Sequence, residues 1–377
     1  MQGFLYPETL HHNYNTHTDM SNVIEITTND IFDVIQRSAL AGNRKPPIFL
    51  GPYGLGKSHS AAAFAAHDNR EYIDFRLSYY TFNDVRGFGV PNRDKGVMEF
   101  LPTEDFPTNP DGRYLFHWEE LTNCHPTTQK VAMQGILDRR VGNYHFPKDT
   151  IMMASGNRLG ERTYVERLAA ALADRLAFYH VRPDLDSFLG HMETHAQSDY
   201  VYAYVQANPE APYSYDISKW DGESNLPTFR SLDRLDELVA SYATADEIIS
   251  DRLFAAHAAS CIGPQRGREF AEFIKLTATV GNVADMLKDP LHCNLPQRTD
   301  LAWLVACKLI SLADVTNFGA VLTISHRLTD PHMREPNDLQ AMESYVGNAV
   351  RRRKPEVAKS RDGIAWLVKH GATLSRV

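Results

Sequence analysis

One stretch, residues 50–60, constrains this chain more than any other. It reads Leu-Gly-Pro-Tyr-Gly-Leu-Gly-Lys-Ser-His-Ser, and Gly51, Gly56, Lys57 and Ser58 satisfy the phosphate-loop pattern G-x-x-x-x-G-K-[ST]. Glycines there let consecutive backbone N–H groups turn inward around a phosphate, and the N-terminus of the following helix adds partial positive charge. On this reading Lys57 reaches the β- and γ-phosphates and the Ser58 hydroxyl ligates Mg²⁺. Pro52, Tyr53, Gly54 and Leu55 complete the cradle, and His59 follows it into the helix. The flanks agree: Pro47–Leu50 is an apolar run fit for a buried strand, and 61–66 is a strong helix former. Strand, tight loop and helix are expected in that order, holding a nucleoside triphosphate. The alternative is a glycine turn with no chemistry.

At 377 residues the chain is long for one small domain, so two compact units with elaborations are expected. With 39 basic and 47 acidic residues the formal charge is −8, which offers no global basic field to draw nucleic acid. Arg351, Arg352, Arg353 and Lys354 form a local basic run, read as solvated surface. Cys124, Cys261, Cys293 and Cys307 include no C-x-x-C pair and read as buried or free thiols in a reducing compartment. No basic segment followed by an apolar core opens the chain, and the best apolar run, 301–313, is interrupted by Lys308 and too short to span a bilayer. A cytoplasmic protein without a membrane partner is expected.

Taken in order, 1–21 is a polar arm with His11, His12 and His17. Thr28-Asn29-Asp30 starts a helix that Gly42-Asn43 stops. After the phosphate loop, 72–77 alternates as a strand, giving a βαβ unit and a parallel sheet. A short helix at 81–86 leads into a hairpin over 87–100, with Phe88 and Val90 either exposed or packed on the sheet. The strand 114–120 delivers Glu119 and Glu120 to its C-terminal end, beside the phosphate loop. There the first acid holds a metal or its water and the second polarises an attacking water; the alternative is an acidic strand-to-helix junction. Pro126 opens a helix, and 150–155 is a strand ending at Gly156-Asn157-Arg158, where Asn157 either orients that water or makes a turn. An Ala-rich helix over 168–176 precedes the strand Ala177–Val181. Helices follow at 184–195 and 228–241, separated by a loop rich in Pro, Tyr, Asp and Gly at 207–225. Arg230, in the first turn of the second, opposes the helix dipole, so it either meets an anion such as phosphate or is a tolerated exposed arginine.

With these motifs in their order and spacing, the chain resembles the MoxR group of AAA+ ATPases, in the branch with a hairpin inserted in its second helix. The resemblance covers about 26–314 and adds Asp84-Val85-Arg86-Gly87, the run Ile136–Gly142 and Leu172-Ala173-Asp174-Arg175 to the motifs above. It implies an α/β fold: an AAA+ domain with a central parallel sheet flanked by helices, then an α-helical lid and a C-terminal helical region. The expected division is an arm at 1–21, the nucleotide-binding core at 22–205 with its hairpin near 87–101, a linker at 206–225, the lid at 226–330 and a helical, basic tail at 331–377. It further implies that ATP and Mg²⁺ are the cofactors, with Ser58 and Glu119 at the metal and Glu120 as the base. Asn157 falls on the first sensor position. Arg175 falls on the arginine finger that reaches a neighbouring subunit's nucleotide, with Arg158 and Arg167 as substitutes, and Arg230 falls on the second sensor. Such fingers are worth ~10³–10⁵ in rate, so activity requires a ring, commonly a hexamer. Relatives act on protein clients, often with a von Willebrand factor A-type partner. Glu119 departs from the family's usual Asp.

Three rival readings remain from the residues alone. A nucleotide-dependent assembly scaffold would bind ATP but turn it over little. A P-loop kinase would work as a monomer, and a nucleic-acid motor sits poorly with the charge of −8.

Overall fold

Three runs, Pro47–Leu50, Tyr114–Glu119 and Thr150–Gly156, are buried at every position, as strands are when both faces of a parallel sheet are covered. The run Glu71–Arg76 is instead only partly buried, with Phe75 alone of the six fully inside, which suits the sheet edge it occupies. The computed structural model describes residues 24–159, 161, 165–220, 222–280, 282–296, 298–328 and 339–374; the arm expected at 1–21 lies outside them. The chain divides into two compact units. One holds the first strand, Phe32–Pro52 and Ala61–Arg182; the other holds Thr27–Ile31, Tyr53–Ser60 and the chain from Pro183 on.

From the first strand to Val181 the elements are β1 (Glu25–Ile26), α1 (Asp30–Leu40), β2 (Pro47–Leu50), α2 (Lys57–His67), β3 (Glu71–Arg76), α3 (Phe82–Arg86), β4 (Phe88–Asn92), β5 (Val97–Leu101), β6 (Tyr114–Glu119), α4 (Pro126–Asp138), β7 (Arg140–Val141), β8 (Tyr144–His145), β9 (Thr150–Gly156), α5 (Ala170–Ala173) and β10 (Ala177–Val181). Six strands make one parallel sheet in the order β1-β10-β2-β9-β6-β3. Leu50 pairs with Gly156 and Trp118 with Ala154, so β2, β9 and β6 end along one edge. This is the expected α/β P-loop architecture, a parallel sheet flanked by helices and followed by a helical region.

One core cluster of this unit is aromatic: Phe75, Phe106, Phe116, Trp118 and Phe146 pack with Ile136 and Val131. Phe116 and Trp118 rings meet edge-on at 4.8 Å. A Cβ on Gly135 of α4 would come within 2.5 Å of the Trp118 ring, so the glycine is what lets the helix close on the indole. β4 and β5 form the expected hairpin. The sequence left Phe88 and Val90 open; Phe88 is 79% exposed, and Val97, Met98 and Leu101 are exposed with it.

The Ala-rich helix expected over 168–176 is only Ala170–Ala173. It has no side-chain N-cap, and the Arg175 and Leu176 N–H groups bond to Leu172 and Ala173 carbonyls as the chain turns to bury Leu176 and enter β10. The strand expected at 72–77 ends at Arg76, because Leu77–Tyr79 turns into a 3₁₀ helix with Leu77 buried.

The second unit is helical: α6 (Leu185–His195), α7 (Asp199–Ala207), α8 (Phe229–Ala240), α9 (Ala245–Ser250), α10 (Phe254–Ile262), α11 (Pro264–Lys275), α12 (Val283–Met286), α13 (Thr299–Leu312), α14 (Phe318–Arg327), α15 (Leu339–Arg353), α16 (Pro355–Ala358) and α17 (Arg361–Leu374). Helix α13 is apolar nearly all round because α7, α14 and α15 pack around it. Tyr202 and Tyr345 rings stack at 3.9 Å beside Trp303. Among the described residues no helix is long and apolar enough to cross a membrane.

The basic run at 351–354 is not the solvated surface its composition implies. Arg353 Nη1 lies 2.5 Å from Asp199 Oδ2, and the Tyr345 hydroxyl donates to the other oxygen of that buried carboxylate at 2.7 Å. Lys354 Nζ donates to the Ser311 and Ala313 carbonyls at 2.6 and 2.8 Å, satisfying acceptors that the end of α13 leaves open. Of the four only Arg351 is exposed; the others are half-buried. The run ties α15 to α7 and α13.

Candidate functional site

Parallel strands deliver whatever follows them to one edge of their sheet, and three of the expected motifs follow β2, β6 and β9. Within the sheet unit the Gly51 N–H, first after β2, donates to the Gly156 carbonyl at 3.3 Å. The chain leaving β6 turns at Glu120, whose φ of 58° is in the left-handed region that a glutamate rarely adopts. The turn is pinned by the Leu121 N–H on the Ser155 carbonyl at 2.9 Å, and the Glu120 carboxylate accepts from the Ser78 hydroxyl. Backbone strain of this kind costs ~1–3 kcal/mol and persists where surrounding contacts enforce it.

Thr122 locks this turn to the end of β9. Its Oγ1 accepts from the Asn157 N–H at 2.9 Å and lies 3.2 Å from the Asn157 carbonyl. A Cβ at Gly156 would meet that oxygen at 2.3 Å, which explains the glycine before Asn157. Glu119, Glu120 and Asn157 therefore share the edge from which Gly51 departs.

Glu119, expected at a metal, is buried with Arg76 Nε 2.7 Å from its carboxylate. Arg76 also holds Asp74 at 2.7 Å. Burial, then the neighbouring Glu119, pushes the Asp74 carboxyl up to about 6. Beneath them a buried polar chain crosses the sheet: His117 Nδ1 lies 2.7 Å from the Tyr72 hydroxyl and Nε2 2.8 Å from the Ser155 hydroxyl.

In the helical unit, the loop segment 53–56 is held from outside by its carbonyls. Tyr53 accepts from the Tyr213 hydroxyl at 3.1 Å, Gly54 from the Arg230 N–H at 3.2 Å and Leu55 from the Thr28 hydroxyl at 3.3 Å. Gly54 and Gly56 take φ of 74° and 94°, and a Cβ on Gly54 would meet Thr228 Oγ1 at 2.8 Å. Among the described residues the N–H groups of Gly54, Leu55 and Gly56 donate to nothing, although Gly54 and Leu55 are buried. Buried N–H groups are rarely left so, and a run of them at a helix start fits an anion. Helix α2 then begins at Lys57, and Ser58 and His59 lie in its first turn.

The expected arginines have different surroundings. Arg175 is exposed and lies 3.6 Å from Asp174, whereas Arg158 is committed to the Val181 carbonyl at 2.8 Å and to Glu25 at 3.1 Å. Arg167 is exposed. The exposed side chain of Arg230 leaves α8 where its Cβ would lie 3.3 Å from one built on Gly54. Among the described residues no group of three or more His, Cys, Asp or Glu is arranged to hold a metal ion.

Several residues of these arrangements were not singled out from sequence. Thr28 and Tyr213 brace the loop, Arg76 and Ser78 hold the two acids, and Thr122 ties Asn157. His191 and His195 of α6 stack at 4.5 Å and face His59 at 5.4 and 6.1 Å. Burial, then these two histidines, lowers the His59 pKa. Their four-residue spacing on one helix face was the available signal.

No protein-family model and no curated protein matches the chain. Among solved structures the chain is similar to a candidate ATPase from Cytophaga hutchinsonii, at 14% identity over 65% of this chain and 83% of that one. The TM-score is 0.32, too loose a superposition to carry residue roles across.

Proposed function

We propose that this chain hydrolyses ATP with Mg²⁺ in a ring of identical subunits and spends the hydrolysis on reshaping a partner protein, as MoxR-group AAA+ ATPases do. The observation that carries the reading is the run of unsatisfied N–H groups at 54–56, leading directly into Lys57 and Ser58 at the start of α2. An anion there satisfies three donors at once, and the triphosphate of a nucleotide is the anion that the Lys57 charge suits.

Ser58 and Glu119 are the residues to hold Mg²⁺, which when bound neutralises charge on the phosphates. Glu120 takes the proton of the attacking water, and Asn157 orients that water. The strained turn at Glu120 supports this assignment, because strain of that kind concentrates at working sites. Arg230, beside Gly54, senses nucleotide from α8. Exposure of Arg175 supports its acting on a neighbouring subunit, and the commitment of Arg158 argues against the substitute finger. A hexamer, a protein client and a von Willebrand factor A-type partner complete the reading.

The Glu119–Arg76 ion pair favours a second reading, an assembly scaffold that binds ATP and hydrolyses it little. Phosphate release by the assembled protein separates the two. The ATPase reading expects turnover that Glu120→Gln lowers by roughly 10²–10⁴. It also expects Arg175→Ala to abolish turnover while ATP binding persists. Wild-type turnover no higher than that of Glu120→Gln supports the scaffold, and full activity in Arg175→Ala removes the ring.

A further inference from the structure

At the opposite edge of the sheet, where β2 and β10 begin, lies a cavity of about 310 Å³. Arg37 and Ser38 of α1 line it, with Arg44 and Lys45 from the following turn and Ala177 and Tyr179 from β10. Among the described residues no acidic side chain lines it, and none of Arg37, Arg44 and Lys45 has an ion-pair partner.

A second cavity of the same unit supplies the comparison. It measures about 290 Å³ and is lined by Arg70, Arg113 and Asp68. There Arg70 lies 2.5 Å from Asp68 and 2.6 Å from Asp149, and Arg113 lies 3.2 and 3.0 Å from the same two acids. The two arginines of that cavity are thus neutralised by acids, as the cations of the first are not. Arg37 at the end of α1 is accounted for in part by the helix dipole; Arg44 and Lys45, beyond the helix, are not.

The turn that carries Arg44 and Lys45 is rigid. Asn43 is buried, with φ of 47°, and its side chain accepts from the Met152 N–H at 2.8 Å and donates to the Met152 carbonyl at 2.9 Å and the Ser38 hydroxyl at 2.8 Å. Arg139 donates to the Asn43 carbonyl and side-chain oxygen at 2.8 and 2.7 Å. Tyr179 is fixed against Phe49, with ring centroids 5.8 Å apart. Cations on a pre-ordered frame lose little entropy when a ligand arrives.

We propose that this cavity is a second anion site, distinct from the phosphate loop, which binds a small molecule carrying two or more linked phosphates. Its volume is at the lower end of small-ligand pockets, about 300–1,000 Å³. Two guanidiniums and one ammonium match the charge of a di- or triphosphate group, and guanidinium pairs with phosphate through two parallel hydrogen bonds. A nucleic-acid backbone would need a basic stripe, which a chain of net charge −8 with three clustered cations does not present.

The test is calorimetric titration of the full chain with sodium tripolyphosphate, in a Lys57→Ala background so that the phosphate loop contributes little. One saturable, salt-sensitive site is expected. Adding Arg44→Ala with Lys45→Ala should weaken it about tenfold or more, because charge-assisted hydrogen bonds to phosphate are lost. Arg44→Lys with Lys45→Arg should retain binding, and Arg113→Ala, from the neutralised cavity, should leave it within about twofold. All these side chains are exposed or partly so, and a thermal melt confirms folding. Absence of saturable binding overturns the proposal, as does equal loss in Arg113→Ala. So does an unchanged isotherm in the Arg44/Lys45 double variant; if that variant alters sedimentation instead, the cavity is a contact between copies.

Discussion

Glu119 and Arg76 are register partners across β6 and β3, and their side chains meet at 2.7 Å. The same guanidinium holds Asp74, so one cation serves two carboxylates at the edge where β6 ends. Any metal that uses Glu119 competes with Arg76 for it.

Removing Arg76 should therefore separate stability from metal affinity. Arg76→Ala leaves the buried Glu119 beside Asp74 without a cation and should cost about 1–3 kcal/mol in urea denaturation. In the same variant the Mg²⁺ concentration for half-maximal phosphate release should fall, because Glu119 is released. Glu119→Gln should raise it about tenfold, or ~1.4 kcal/mol. Unchanged values in both variants would take Glu119 away from the metal.

Asp74 gives a pH signature with a definite sign. Its pKa is raised in the folded protein from 3.8 to about 6, first by burial. Between those values the folded state holds the proton more tightly than the unfolded state, so this group's contribution to stability falls as pH rises. Wild type should lose stability relative to Asp74→Asn from pH 4 to pH 6, with the difference level above that. Denaturation midpoints of the two proteins across this range measure it; a constant difference would mean Asp74 titrates normally.

Gly54 should be intolerant of a methyl group. Alanine there combines a φ of 74° with a Cβ 2.8 Å from Thr228 Oγ1, a cost of about 1–2 kcal/mol. If the 54–56 N–H groups cradle phosphate, Gly54→Ala should also weaken ATP binding about tenfold by equilibrium dialysis. Gly42→Ala, with φ of 77° and open space around its Cβ, should show the strain alone.

The sheet and the strand, loop and helix around 50–60 were legible because each depends on local pattern. Pro47–Leu50 is apolar throughout since both faces are covered, and the glycines at 54 and 56 do take positive φ. The hydrogen bonds that hold the loop were not legible: Tyr213 lies 160 residues from Tyr53, and nothing in the Pro- and Tyr-rich stretch around it marks a brace. The partner of Glu119 depends on β3 lying next to β6, a pairing that chain order does not reveal. The short α5 was overcalled from its alanines, because helix propensity says nothing about Leu176 being required in the sheet core.

The basic run was misread for a related reason, and it carries the sharpest stability prediction. Arg351, Arg352, Arg353 and Lys354 are alike in composition, but Arg353 alone neutralises Asp199, whose carboxylate is buried beneath Tyr345. Arg353→Ala strands that charge and should cost roughly 2–4 kcal/mol, somewhat less than for a fully buried pair because Arg353 is partly exposed. Arg351→Ala, at an exposed position of the same helix, should stay within about 0.5 kcal/mol. Chemical denaturation of the two variants side by side decides it. Equal effects would return the whole run to the surface, whereas the expected contrast makes it a brace between α15 and α7. Asp199→Asn in the Arg353→Ala background should recover part of the loss, because the amide removes the stranded charge while still accepting from the Tyr345 hydroxyl.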